Sequence, residues 1–555
     1  VLRLYQNLYA PGVPRVEPVP VTGGMTVERL VVGGREVPIM ATGARPTPGR
    51  AGYTVDGTLM FVRLPRPVQP GDSVVLEVAW RFRVPPASAP RMGRDGDLYN
   101  IAQWYPQVAV YDDVRGWDTW PHLATGEFYL EYGRFDVSLT LPEGWLVGAT
   151  GELQNAPEVL GEVALDRLER VRSADDVVAI VTEAELGAGR ATQTTPGGQL
   201  TWVFTADNVR DFAWVASPHF VWDATRAIVR GDDGRPDTVV IHALYRPGAP
   251  SFDRGAEFAR KAVEFFSERF GPYVYPQLTS AEGFSGGMEY PMMMFNQPYP
   301  DAQEFYALTA HEAAHQWYPI MVGSNEWRYA WQDEGLATYM ENIAVAAEYP
   351  AFQPFRVELM RYLPVAGTEL EHPIMRAADL FGPDGSYFIG AYSKPAVLLN
   401  ALATIIGQDT LNAALREYRD RWFLRHPQAI DFFRTVEAVA GRDLRWFWRS
   451  WWYETVVLDQ AIEAVELTAA GGGERAAITI ADQGGAPMPV DLVLTLANGE
   501  TRRITVPVDV WLSGARTHTR TVELPAALQR VEIDPEADFP DVDRGDNVWQ
   551  RTGAR

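Results

Sequence analysis

The stretch Thr309-Ala310-His311-Glu312-Ala313-Ala314-His315-Gln316-Trp317 places two histidines four positions apart. On a helix they lie about 40° apart around the axis and one turn along it, so both imidazoles can reach one metal ion. Glu312 follows the first histidine on the same edge, where its carboxylate can meet a water on that metal. This H-E-x-x-H spacing suits metal-assisted hydrolysis with Glu312 handling the proton. A catalytic tetrahedral zinc ion needs a third protein ligand and one open position. Glu334, in Trp331-Gln332-Asp333-Glu334-Gly335-Leu336-Ala337, is the candidate. Eighteen residues separate it from His315, enough for a turn and the start of a second helix. The rival reading is coincidence in a chain of eight histidines. A glutamate required at a fixed distance beyond the pair makes coincidence rarer.

Several elements must position these groups. The histidine helix begins near Asp301, with Glu304 three residues on as its capping-box partner, and Pro319 ends it. A second helix carries Glu334 to about Ala347. Before them, Ser251 is placed to cap a helix from Phe252 to Phe270, with Phe258, Ala262, Phe265 and Phe266 as its buried stripe and Gly271-Pro272 as its stop. Further helices are expected over Lys394 to Ile406, Asp409 to Phe423, Ala429 to Ala440 and Leu444 to Trp452. Residues 246–457 therefore read as a mainly helical domain.

On either side the period changes. Residues 1–245 show short alternating segments, such as Met25–Val32, Ser73–Arg81, Gly133–Leu141 and Thr238–Tyr245, cut by Pro/Gly turns. A β-sandwich or saddle is expected there, with no helix. Strand patterns return over Ala476–Ala481, Val490–Leu496, Thr501–Val508 and Thr519–Leu524, which makes residues 458–540 a second, small β-sandwich. Residues 541–555 read as a loose polar tail. The fold class is multidomain α+β.

Composition bounds the function. A chain of 555 residues is too long for one core, and two to four domains are expected. The net charge of −23 argues against nucleic acid and anionic membrane partners. It favours basic or amino-terminal substrates near the site, subject to screening by salt. There is no cysteine, so neither a disulfide nor a Cys-based metal site is possible. Lys261 and Lys394 are the only lysines against 47 arginines. With 41 prolines, this suggests a robust, thermophilic bacterial protein. No run of 18 apolar residues is present, so no membrane span is expected. No signal peptide is visible, but the chain opens at Val1 without methionine, on strand-like Val1–Tyr5. Cleaved upstream residues, including a secretion signal, fit that opening. The expectation is a secreted, periplasmic or cell-envelope location in a bacterium, with the cytoplasm left open.

His311-Glu312-x-x-His315 with Glu334 at this spacing resembles the gluzincin aminopeptidases, the aminopeptidase N and leukotriene hydrolase family. Gly286-Gly287-Met288-Glu289-Tyr290 resembles the family's G-x-M-E-N motif and lies upstream of the histidine helix as it should. Tyr392-Ser393-Lys394 resembles its Y-x-K-G segment, with Pro395 where glycine is usual. The order of β domain, helical domain and β domain also matches, so the resemblance covers nearly the whole chain.

The resemblance implies a thermolysin-like zinc peptidase domain and one Zn2+ held by His311, His315 and Glu334. It implies Glu312 as general base and then acid, Tyr392 as hydrogen-bond donor to the oxyanion, and Glu289 as ligand of the substrate's free α-amine. Gly286, Gly287 and Met288 would form the substrate loop, and Tyr387 is a second candidate for the tyrosine. Glu341, seven residues after Glu334 and about 20° around its helix, is placed to orient a zinc histidine. Relatives often carry a second amine-binding Gln or Glu in the first β domain. Gln103 and Gln107 are the candidates, with Gln103 preferred. Tyr290 departs from the family's asparagine, and the chain has no room for the helical domain that closes many relatives, which implies a more open site. Met292-Met293-Met294-Phe295 fits either an apolar pocket or core.

The implied activity is removal of N-terminal residues from peptides with a free amine. Endopeptidase or epoxide-hydrolase specificity on the same zinc chemistry is the alternative. A silent binding scaffold is disfavoured by the intact ligand set and Glu312. Oligomeric state is not specified.

Overall fold

The computed structural model describes residues 1–41, 50–284 and 286–552. The chain divides into two compact units. The first is Val1–Asp333 with Ala347–Tyr349 and Arg419–Gln428. The second is Glu334–Ala346, Pro350–Tyr418 and Ala429–Arg555.

The first unit is built mostly of antiparallel sheets, as the alternating pattern requires. Met25–Val32 pairs with Leu76–Phe82, and Gly133–Pro142 with Gln199–Val209. The expectation of no helix here is corrected. Ala156–Val159 and Glu162–Val171 are helical. In the longer one, Ala164 and Val171 are buried and Leu168 packs against the same core, the i, i+4, i+7 spacing of an amphipathic face. Ten residues of charged sequence made that face easy to overlook.

The unit's organising feature is a six-stranded sheet in the order Val178–Val181, Val221–Arg230, Pro236–Tyr245, Gln277–Glu282, Met293–Asn296, Gly287–Tyr290. Pro236–Tyr245 and Gln277–Glu282 run parallel, which demands a crossover, and helix Gly255–Phe270 supplies it. Its faces carry Phe258, Ala262 and Phe266, all fully buried. Each buried phenylalanine contributes on the order of 1.5–3 kcal/mol. Ser251 is not the cap expected. It takes a left-handed backbone, makes no capping bond, and leads into a short turn, Phe252–Arg254, before the α-helix proper. Phe265 is only half-buried, beneath the Arg269 guanidinium.

Gln277–Glu282 and Met293–Asn296 are buried at every position, as parallel strands between layers should be. Met293 and Phe295 belong to the core, which settles the reading of the Met292–Phe295 run. Gly287–Tyr290, antiparallel to Met293–Asn296, is the edge strand.

The second unit holds the remaining helices and the C-terminal sandwich. Lys394–Ile406 and Ala429–Ala440 fall where the sequence placed them. Among the described residues, the helical run Phe388–Ile406 is long and apolar enough to cross a bilayer, and most of it is buried in the fold like a core helix. The sandwich pairs Gln460–Ala470, Gly473–Asp482 and Thr517–Leu524 in one sheet, and Thr501–Val506, Val490–Leu496, Leu528–Ile533 and Val548–Gln550 in the other. Ile478, Ile480, Leu492, Leu494, Val531 and Ile533 alternate inward between them.

The stretch after Asp541 is not a loose tail. Asp541 is buried, accepts hydrogen bonds from the Gln460 N–H and Asn547 Nδ2, and is followed by the paired strand Val548–Gln550. Those buried partners outweigh the polar composition. Residues 553–555 lie outside the described residues.

Candidate active site

Helix Ala302–Ala314 carries the first two donors. Asp301 caps it by accepting from the N–H groups of Gln303 and Glu304, which satisfies two of the four orphan donors at a helix start. At its far end the chain enters a π-helical turn, Gln316–Met321, containing Pro319. Gln316 fixes the helix to the edge strand. Its Nε2 donates to the Tyr290 carbonyl at 3.0 Å, and its Oε1 accepts from the Met292 N–H at 3.0 Å. The sequence reading passed over this residue, although it lies inside the motif stretch.

His311 Nε2 and His315 Nε2 are 3.1 Å apart. His315 Nδ1 lies 2.9 Å from Asp333 Oδ1, both side chains being buried. A carboxylate this close to Nδ1 favours the tautomer with the proton on that nitrogen, which frees Nε2 to ligate a metal. Glu334 follows Asp333 directly in the chain. Glu334, the third ligand expected, is buried at the start of helix Glu334–Glu348. Two nitrogens on a tetrahedral zinc at about 2.05 Å sit roughly 3.3 Å apart, so the donor types and their spacing fit Zn2+. The sequence reading did not single out Asp333, whose carboxylate lies against His315. Glu341, half-buried on helix Glu334–Glu348, was the residue it chose instead.

Tyr392 sits in a π-helical turn, Phe388–Ser393, and its hydroxyl donates to Glu334 Oε1 at 2.5 Å. Tyr387, the other candidate, packs its ring edge-on to Tyr392 with centroids 5.9 Å apart. On the neighbouring helix, a Cβ on Gly335 would come within 2.6 Å of Pro395 Cβ. The glycine lost from the Y-x-K-G pattern at 395 is thus answered by a glycine at 335.

Glu289 is buried on the edge strand. Its carboxylate belongs to two buried groups whose ligand atoms lie within 4.8 Å of one another. One contains His315 and Asp333, the other Glu127, Glu326 and Asp333. Glu127 bonds Arg91 Nη2 at 2.9 Å, and Arg91 also donates to the carbonyls of Ala124 and Thr125. Tyr290 donates from its hydroxyl to the Arg91 carbonyl at 3.1 Å, so the residue that departs from the family motif ties the edge strand to Glu127's partner. Beneath, Glu326 pairs with Arg210 at 2.5 Å, both side chains almost fully buried, and accepts the Phe128 N–H at 2.6 Å. Burial pushes the Glu326 carboxyl upward while Arg210 opposes it.

The sequence reading placed the second amine-binding residue at Gln103, with Gln107 as the other candidate. Gln103 is buried with a left-handed backbone. Its carbonyl accepts from Gln6, and its Nε2 has no hydrogen-bond partner among the described residues. Gln107 donates to Asp211 at 2.6 Å, alongside Tyr105. The residue brought to Glu289 is Glu127. Its signal was an acid in Gly126-Glu127-Phe128-Tyr129-Leu130, a charge entering an apolar run.

The histidine helix thus packs on the edge strand Gly287–Tyr290, with the buried Asp333 carboxylate beside His315. Residues 256–451 match the profile described as the peptidase family M1 domain. The chain is 30% identical over 156 residues to an aminopeptidase A of Gloydius brevicauda, covering 27% of this chain and 16% of that protein. It thus spans about a sixth of that curated relative. Among solved structures it is similar to Legionella pneumophila aminopeptidase A in complex with aspartic acid, with a TM-score of 0.62 and 14% identity over 93% of this chain and 54% of that one. It is also similar to an M1 zinc metallopeptidase variant of Deinococcus radiodurans bound to a Tyr-Ser-Ala substrate, with a TM-score of 0.53 and 18% identity over 81% of this chain and 88% of that one. At these identities the structural likeness is one of fold.

Proposed function

We propose that this chain is a zinc aminopeptidase that removes N-terminal residues from peptides with a free α-amine. The observation that carries the reading is the buried Glu289 carboxylate, which lies in one group of ligand atoms with His315 and Asp333 and in a second with Glu127, Glu326 and Asp333. A carboxylate pair there holds an ammonium group at fixed depth, so that the first peptide bond, and no later one, lies over the metal donors. Gly287–Tyr290 is the edge strand of its sheet, the position at which an extended peptide can add as a further strand. Its Gly286, Gly287 and Met288 are the proposed substrate loop.

Zinc held by His311, His315 and Glu334 supplies, when bound, a Lewis acid that brings a water's pKa to about 7. Glu312 would serve as the general base for the attacking water and then return the proton to the leaving amine. Tyr392 donates a hydrogen bond to the substrate's developing oxyanion. Asp333 holds the His315 tautomer, and Glu341 is assigned to orient a zinc histidine from its helix. Glu127 takes the second amine contact in place of Gln103.

The test is a panel of fluorogenic aminoacyl amides, each with and without N-acetylation. Acetylation removes the ammonium and leaves buried carboxylates against a neutral amide, so kcat/KM should fall about 10²-fold or more. Equal turnover of the two forms would reject the assignment and favour an endopeptidase.

A further inference from the structure

Lys394 is one of two lysines in a chain that otherwise uses arginine, and it is fully buried. Its Nζ bonds Glu371 Oε1 at 2.6 Å, with each side chain 1% exposed. Glu371 is saturated around it. The Tyr362 hydroxyl donates to Oε1 at 2.9 Å, and the Gly367 N–H donates to Oε2 at 2.6 Å. The Tyr362 ring also lies under the ammonium, 5.6 Å from centroid to Nζ. One position earlier, Ser393 Oγ donates to Glu358 Oε2 at 2.6 Å. Both residues that follow Tyr392 are therefore tied to carboxylates. On the other side of Tyr392, a Cβ on Gly390 would meet the Phe381 ring at 2.5 Å, so the turn is clamped there as well.

Tyr392 stands in a π-helical turn, where one extra residue is wound into the helix. Such a turn is bonded i→i+5 and shifts the side chains after it around the helix, so contacts that hold the following residues also hold Tyr392 in place. A buried ion pair is weak evidence for stability, because an apolar pair of the same volume is often as good or better. What it supplies is geometry, a short contact that only one arrangement satisfies.

We propose that the buried Glu371–Lys394 pair is a positioning device for Tyr392, fixing the turn that sets where the tyrosine hydroxyl is presented. Lys394 and Glu371 touch neither substrate nor metal in this assignment. The proposal rests on the reading of Tyr392 as the oxyanion donor. It gives the lysine of the Tyr392-Ser393-Lys394 motif a task of its own.

The test is a double-mutant cycle on the full-length, zinc-loaded enzyme. Glu371→Gln keeps the side-chain volume and one acceptor oxygen while removing the charge, so it can accept from Tyr362 or from Gly367 but not from both. It should lower kcat about 10-fold with KM unchanged within about twofold, and zinc content should be retained. In a Tyr392→Phe background the same change should have no further effect on kcat, because the group it positions is gone. Lys394→Met should follow the same pattern, and thermal melting of each variant separates loss of fold from loss of position. If Glu371→Gln lowers kcat by the same factor in both backgrounds, or leaves kcat unchanged in the wild-type background, the positioning role is refuted while Tyr392 keeps its part. If Tyr392→Phe alone retains near-normal kcat, the reading of Tyr392 fails and the proposal falls with it.

Discussion

The choice between Glu127 and Gln103 gives the sharpest test of how the substrate's amine is held. Glu127→Gln removes one charge from the carboxylate pair and leaves the shape almost intact. The fold should tolerate it, since Arg91 keeps its bonds to the carbonyls of Ala124 and Thr125, at 2.7 and 2.8 Å. A hydrogen bond to a charged group contributes about 1.5–3 kcal/mol. Losing the ammonium–Glu127 contact should therefore lower kcat/KM on free-amine substrates by roughly 10- to 150-fold. Turnover of the N-acetylated counterparts should stay within about twofold, because they never made the contact, so the ratio of free to acetylated turnover shrinks. Gln103→Ala should leave that ratio unchanged, whatever it does to stability. The assay is steady-state hydrolysis of paired aminoacyl amides by the three enzymes, with zinc content checked in each. A Glu127→Gln enzyme with undiminished selectivity, beside a Gln103→Ala enzyme that has lost it, would refute the assignment.

The other expectations concern the metal, the proton and the buried charge beneath the site. Glu312→Gln should retain zinc and fold but lose at least ~10²-fold in kcat, measured on metal-replete protein. Tyr392→Phe should lose roughly 10²-fold in kcat with little change in KM, since its bond forms mainly in the transition state; near-normal kcat would direct attention to Tyr387. Asp333→Asn should weaken zinc affinity about 10- to 100-fold in a chelator competition, because His315 loses the carboxylate that fixes its tautomer. Arg210→Met should destabilise the protein by about 3–5 kcal/mol in denaturant unfolding by leaving Glu326 buried and unpaired, and Arg210→Met with Glu326→Leu should recover most of it.

What the sequence revealed follows how local each signal is. The histidine helix, its Asp301 cap and the position of Glu334 depend on spacing along one or two helices, where 3.6-residue geometry leaves little choice. The strands of the C-terminal sandwich declare themselves by alternation. The amine site was only half legible. Glu289 stands in a motif, whereas Glu127 meets it through a fold that joins residues 162 positions apart, and no periodicity encodes that meeting. Asp333 was adjacent to a predicted ligand yet passed over, because a side chain in a turn can point anywhere until the turn is known. The paired strand after Asp541 was hidden by its polar composition, since its stability comes from the buried Asp541–Gln460 and Asp541–Asn547 bonds. Tyr290 read as a defect in the motif, and only its bond to the Arg91 carbonyl shows what it does.

The central claim is most directly tested by following one peptide by mass spectrometry. The protein, loaded with one equivalent of zinc, is incubated with an unblocked peptide of about ten residues and with its N-acetylated twin. The account predicts a ladder of products, each shorter by one N-terminal residue, from the free peptide alone. The ladder should be abolished by chelation and restored by zinc. Internal fragments appearing from the acetylated peptide as fast as the free one is trimmed would contradict it.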